Sequence, residues 1–118
     1  MIIYRIENKQ MIGPYRWFQK DLLPWTNKEK HDDFSKYPDF IEDNFPILED
    51  IRKYVFGFDS KDKLKYWFTD RELKSLKNCG FYINCYEIDS NYIIYGKSNK
   101  QIMFKQNKAE LIFFNINL

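Results

Sequence analysis

The chain has 118 residues, 44% of them hydrophobic and 31% charged, with a formal charge of +2. That length fits one compact domain, large enough to bury roughly two-thirds of its unfolded surface without metal or disulfide staples. No run of about 18 apolar residues is present, which excludes a helical membrane span; Arg5, Glu7, Lys9, Arg16 and Lys20 interrupt the apolar N-terminal stretch as no secretory leader tolerates, so a cytoplasmic protein is expected.

Residues 2–7 alternate, with Ile3 and Arg5 pointing one way and Tyr4 and Ile6 the other, which predicts a strand. Gly13-Pro14 separates it from residues 15–18, a second short strand or the start of an irregular loop. Residues 21–46 hold Pro24, Pro38 and Pro46 among acids and aromatics without a clean period. They predict a long loop with one short helix near 38–45, and a connection of that length ordinarily carries a role. Ser60 can cap a helix over 61–68, with Leu64, Trp67 and Phe68 on one face. Thr69-Asp70-Arg71-Glu72 matches a capping box, Leu73 and Leu76 continue an apolar stripe, and Gly80 stands where a left-handed cap is wanted. After Gly80, strands are predicted at 81–88, 92–95, 101–105 and 111–116 as an antiparallel meander. The expected class is α+β: an antiparallel sheet of about five strands, the first inserted among the later ones, with one or two short helices packed on one face. All of it forms one domain over 1–118, with a long acidic loop segment at about 21–50.

Fifteen lysines stand against four arginines and fourteen isoleucines against one valine, with ten asparagines and a single alanine. All the favoured residues have A/T-rich codons, so this bias marks a low-GC genome and no particular chemistry. The 19% aromatic content is different, because codon bias does not explain three tryptophans; large rings fill cores and also line partner surfaces. Charge is segregated. Residues 29–50 carry eight acids against Lys30 and Lys36, whereas residues 91–109 carry Lys97, Lys100, Lys105 and Lys108 and no acid. Beyond two solvated faces, this pattern suggests that Asp32, Asp33, Asp39, Glu42 and Asp43 meet a basic protein surface, while the lysine turn meets an anion. Four arginines in the whole chain argue against direct DNA binding.

Portable enzyme signatures are missing: no Walker loop, dinucleotide glycine fingerprint, His-Glu-x-x-His or nucleophile elbow occurs. His31 is the one histidine and lies in the acidic loop; with only Cys79 and Cys85 beside it, both read as small buried hydrophobes, no zinc site and no catalytic residue is expected. Three features remain. Arg5 is a cation in an apolar strand, where it needs a partner or water. Residues 56–60, Phe-Gly-Phe-Asp-Ser, form a strand end, a glycine turn and a helix start, where backbone amides can meet an anion. Gln101 opens a strand beside the lysine turn. The candidate ligand-binding set is therefore Arg5, Tyr15, Phe58, Ser60, Tyr86 and Gln101.

Tyr4-Arg5-Ile6-Glu7, Gly13-Pro14-Tyr15, Phe56-Gly57-Phe58 with Ser60, Leu64, Trp67-Phe68, Gly80-Phe81, Ile83, Tyr86-Glu87-Ile88, Tyr95-Gly96 and Gln101 with Phe104 resemble a family of small bacteriophage and prophage accessory proteins. The resemblance implies a viral accessory protein, and such proteins commonly inhibit host systems. A second likeness is to ADP-ribosyltransferase-like folds, in which an early-strand arginine holds NAD phosphate, a serine motif follows and a late-strand glutamate stabilises the ribosyl transition state. Arg5 and Ser60 match the first two positions, but Gln101 stands near the third, and a neutral amide does not stabilise an oxocarbenium ion as a carboxylate does. Glu87 substitutes only in a different register.

The expectation is thus a non-enzymatic, phage-encoded anti-defence protein without a cofactor. It would bind a host defence protein in the manner of an anti-CRISPR, or a nucleotide second messenger as a sponge. The alternatives are an ADP-ribosyltransferase-like enzyme, for which NAD would be the cofactor, and a virion or assembly accessory. Exposed aromatics and a C-terminal edge strand also suggest a homodimer.

Overall fold

The computed structural model describes residues 1–14, 41–114 and 116. The segments expected at 15–18 and 21–40 lie outside them. Among the described residues, six strands and two α-helices form: β1 (Ile2–Glu7), β2 (Tyr54–Gly57), α1 (Lys61–Trp67), α2 (Asp70–Asn78), β3 (Tyr82–Glu87), β4 (Ile93–Tyr95), β5 (Ile102–Lys105) and β6 (Glu110–Phe113). The α+β class is as expected, but the strands number six and not about five. They form two three-stranded antiparallel sheets, ordered β1-β3-β6 and β2-β5-β4, in place of one.

Each helix begins where its cap sequence demands. The Ser60 hydroxyl accepts the Lys63 amide at 3.1 Å. The Thr69 hydroxyl accepts the Glu72 amide at 3.3 Å while the Glu72 carboxylate accepts the Thr69 amide at 3.0 Å, completing the capping box. At the far end of α2 the chain reverses through Gly80, whose φ of +90° suits a residue without a Cβ. The Phe81 amide bonds Leu76 O at 3.0 Å and the Gly80 amide bonds Lys77 O at 3.1 Å, a Schellman closure that also brings Phe81 into the core beside Leu76.

Alternation in β1 divides the core in two. Tyr4 and Ile6 join Phe58, Leu64, Trp67, Phe68, Leu76, Phe81 and Ile83 on the helix side. Ile3 joins Tyr86, Ile88, Ile93, Ile102 and Phe104, where the second sheet closes over the first. The register pairs Ile3 with Tyr86, Arg5 with Asn84 and Glu7 with Tyr82, so Ile3, Arg5 and Glu7 share their face with Asn84 and Tyr86.

The predicted meander is replaced by a different connectivity. Among the described residues only β4 and β5 form a hairpin. The 3-10 turn Ser90–Tyr92, capped by the Asp89 carboxylate on the Asn91 amide at 2.9 Å, carries the chain from the first sheet to the second. The turn Gln106–Lys108 carries it back, so that β6 pairs with β3. β1 does lie between later segments. β3 flanks one edge, and on the other Tyr4 and Phe58 exchange two backbone bonds of 2.8 Å. Of the helix predicted near 38–45, residues 41–44 form a turn closed by the Asn44 amide on Ile41 O at 3.0 Å, with Asn44 at φ +56°. No helix among the described residues is long and apolar enough to cross a membrane.

Candidate functional site

Two polar constellations hold four of the sequence-selected residues, Arg5, Tyr86, Asp43 and Gln101, and both face inward. The first is built on Glu7, which has no solvent exposure. Its Oε2 accepts from Arg5 Nε at 2.9 Å and from Gln106 Nε2 at 3.2 Å. Its Oε1 accepts from Asn84 Nδ2 at 2.9 Å and from the Tyr86 hydroxyl. Arg5 extends the network by donating Nη1 to Phe56 O at 2.7 Å and Nη2 to Met11 O at 3.5 Å. β1 and β3 therefore contact β2 and the turn after β5 through a buried polar seam. Burial, reinforced by the carboxylate it bonds, pushes the Tyr86 phenol well above the usual tyrosine range. Arg5 and Tyr86, two of the ligand-site candidates, thus meet on a third residue that the strand pattern had not singled out. The signal for Glu7 was available: an acid two positions from an arginine in a strand shares its face.

The second constellation joins the acidic segment to the β4–β5 hairpin. Asp43 is 1% exposed. Its carboxylate accepts from the Ser98 amide at 2.6 Å and from Gln101 Nε2 at 3.1 Å, and its carbonyl accepts the Lys97 amide at 2.8 Å. Gly96 makes the approach possible, since a Cβ there would overlap the carboxylate. Asp43 and Gln101, expected to serve a protein partner and a ligand respectively, are each other's partners. Two further ties fix the same segment: Phe45, buried, meets Phe56 edge-on at 5.5 Å, and Asp50 pairs with Lys105 at 3.1 Å. The hydrogen bond from Lys105 holds the Asp50 carboxyl below its usual range, and the same contact raises the Lys105 ammonium. Ile47 and Glu49 are exposed between these ties, and Ile41 and Glu42 are exposed just before the first of them, the two isoleucines at 89% and 78%.

The other candidates take separate places. Phe58 lies in the helix-side core, 5.7 Å from the Trp67 ring and 6.3 Å from that of Phe68. Ser60 has its hydroxyl on the α1 cap. Tyr15, Asp32, Asp33 and Asp39 lie outside the described residues. The lysine-rich stretch is engaged with rings as well as with Asp50: Lys100 lies 5.2 Å from the centre of the Tyr66 ring, and Lys108 5.7 Å from that of Tyr92. Cys85 is buried, and burial pushes its thiol up, away from nucleophilic character. Among the described residues no group of three or more His, Cys, Asp or Glu side chains gathers as metal ligands do.

The carboxylate with the most donors is sealed from solvent, while the exposed part of the acidic segment is held in shape by its neighbours. Against known proteins, the family model described as Bacteriophage T4 Y00F protein matches residues 1–115. The chain belongs to this phage protein family. A relative from Enterobacteria phage T4, described as an uncharacterized 19.7 kDa protein in the motB-dexA intergenic region, is 38% identical over 61 residues. The match covers 52% of this chain and 36% of the relative, so the chain aligns with little more than a third of that protein. No solved structure matches. Family membership agrees with the phage resemblance read from the sequence and fixes a bacteriophage origin.

Proposed function

We propose that this member of the T4 Y00F family is an anti-defence protein that works in the host cytoplasm by stoichiometric binding. Its target is the basic, nucleic-acid-binding surface of a host defence nuclease, in the manner of an anti-CRISPR inhibitor. The observation that carries this reading is the acidic segment 41–50. It is tied down at Asp43, Phe45 and Asp50, yet it leaves Ile41, Glu42, Ile47 and Glu49 outward. A surface fixed before binding loses little conformational entropy on docking, and its carboxylates steer it toward a basic target. The nucleotide-sponge reading has less support, since Arg5 and Gln101 already bond protein partners. The ADP-ribosyltransferase reading is weakened in the same way, because it needs the Arg5 guanidinium turned toward NAD.

The test is plating of a phage that lacks the gene on hosts with and without the defence system, the chain being supplied in trans. The expected result is poor plating on the defended host alone, rescue by the parent chain and no rescue by a Glu42→Lys, Glu49→Lys double variant. Equal loss on both hosts would favour a virion or assembly role and overturn the proposal. Rescue by the double variant would remove the acidic segment from the mechanism.

A further inference from the structure

The outer face of the two helices carries charge that folding does not explain. α1 and α2 cover the same side of the first sheet, packing Leu64 and Trp67 of one and Leu76 of the other into a shared core with Tyr4, Ile6 and Ile83. Away from that core they expose five cations, Lys61, Lys65, Arg71, Lys74 and Lys77, against two acids, Asp62 and Asp70. The remaining acids of residues 59–78 are used within the fold: Asp59 pairs with Lys63 at 2.8 Å, and Glu72 closes the capping box of α2. Asp62 and Asp70 stand in first turns, where a negative charge complements the helix dipole, and Lys65 and Lys77 stand in last turns, where a positive one does. Lys61 and Arg71 break this pattern, each a cation in a first turn and so set against the dipole. Lys61 lies 5.9 Å from the centre of the Tyr4 ring, whereas Arg71 makes no ion pair or ring contact among the described residues. Arg71 is also one of four arginines in the chain, so a codon bias toward lysine does not account for it. A local preference broken twice on one face marks a site that serves something beyond the fold.

We infer that this face binds a single strand of nucleic acid along its phosphodiester backbone, without reading its sequence. Arg71, Lys74 and Lys77 recur every third residue of α2, so their Cβ atoms form a row spaced by about 5–6 Å, and a row of cations complements a row of phosphates. Lysine holds phosphate as a point charge, while reading base edges in a groove calls for the fork of arginine, of which the face has one. The scarcity of arginine therefore argues against duplex reading and leaves backbone contact open. Tyr66 favours the single strand: it follows Lys65 on α1, is 44% exposed and has Lys100 5.2 Å from its ring centre. Such a ring among cations is a stacking platform for an unpaired base, which a duplex does not offer. No residue of the acidic segment lies on this face, so the two surfaces are tested apart.

Fluorescence anisotropy of a labelled oligothymidylate, titrated with the purified chain over a salt series, is the test. Five phosphate contacts on a single strand give a slope of log affinity against log salt of about −3.5. The Arg71→Gln, Lys74→Gln double variant is expected to bring the slope to about −2.1 and to weaken binding about 25-fold at about 0.1 M salt. Its thermal unfolding should stay at or above that of the parent, because Arg71 opposes the dipole of α2, so weaker binding is not weaker folding. Tyr66→Ala is expected to weaken binding about tenfold with the slope unchanged. A parent that leaves the oligonucleotide free at low salt overturns the inference, as does a double variant that binds like the parent. Tighter binding of a duplex of equal length, or a Tyr66→Ala variant that binds like the parent, overturns the assignment to a single strand.

Discussion

Arg5 is the residue at which strand periodicity and electrostatics give different answers. A cation on an apolar strand face asks for either solvent or a partner, and the structure supplies Glu7, two backbone carbonyls and a glycine-lined approach at Gly13. Removing the guanidinium leaves a fully buried carboxylate without its counter-charge, so Arg5→Ala should cost about 3–5 kcal/mol of stability, measured by urea unfolding. A cost below about 1 kcal/mol, the scale of a surface residue, would mean that Arg5 serves something other than the fold. Tyr86 makes the same network pH-sensitive. Its phenol titrates higher in the folded chain than the reference value of 10.0, so the folded state holds the proton more tightly. The stability it contributes is fully present below pH 10 and falls as pH climbs through the folded value. Tyr86→Phe should flatten the alkaline decline, read by urea unfolding across the alkaline range. Arg5 and Glu7 were legible as a same-face pair from the alternation alone. That Asn84, Tyr86 and Gln106 would reach the same carboxylate was not, because it depends on the β1–β3 register and on where the chain returns after β5.

At the scale of elements, local chemistry located the helices and tertiary pairing decided the sheets. Ser60, the Thr69–Glu72 box and Gly80 define α1 and α2 through bonds between near neighbours, which is why those boundaries could be read within a residue or two. Thr69→Ala should remove about 1 kcal/mol through loss of the cap, with thermal unfolding as the readout. β2 is only four residues long and its pairing partner β5 lies some fifty positions away, so the sequence marked a strand end at Phe56 but not the partner it pairs with. The same distance hides the tie between Asp43 and the 96–101 turn. Asp43→Ala strips acceptors from the Ser98 amide and Gln101, at about 1–3 kcal/mol. Amide exchange over 41–50 should accelerate while β1 and β3 stay protected. Equal acceleration across the whole chain would show that Asp43 supports the global fold and not the segment alone.

The whole molecule is a family member of phage origin whose polar groups with the greatest chemical promise are turned inward, Arg5 and Tyr86 on Glu7 and Gln101 on Asp43. Its outward surface offers the acidic segment with Ile41 and Ile47 and the basic outer face of α1 and α2. From sequence, the phage character followed from motif spacing over most of the chain. The division between buried and outward-facing charge did not, because identical residue types serve both and only burial separates them. Under the proposed function the chain occupies its target without making or breaking a covalent bond. Native mass spectrometry of tagged chain recovered from infected cells tests it most directly. The expected result is a complex of the chain with one host protein in fixed proportion, both components at their unmodified masses and the complex lost with Glu42→Lys and Glu49→Lys. A host protein carrying an added ADP-ribose mass, or the chain recovered only with a nucleotide, would contradict it.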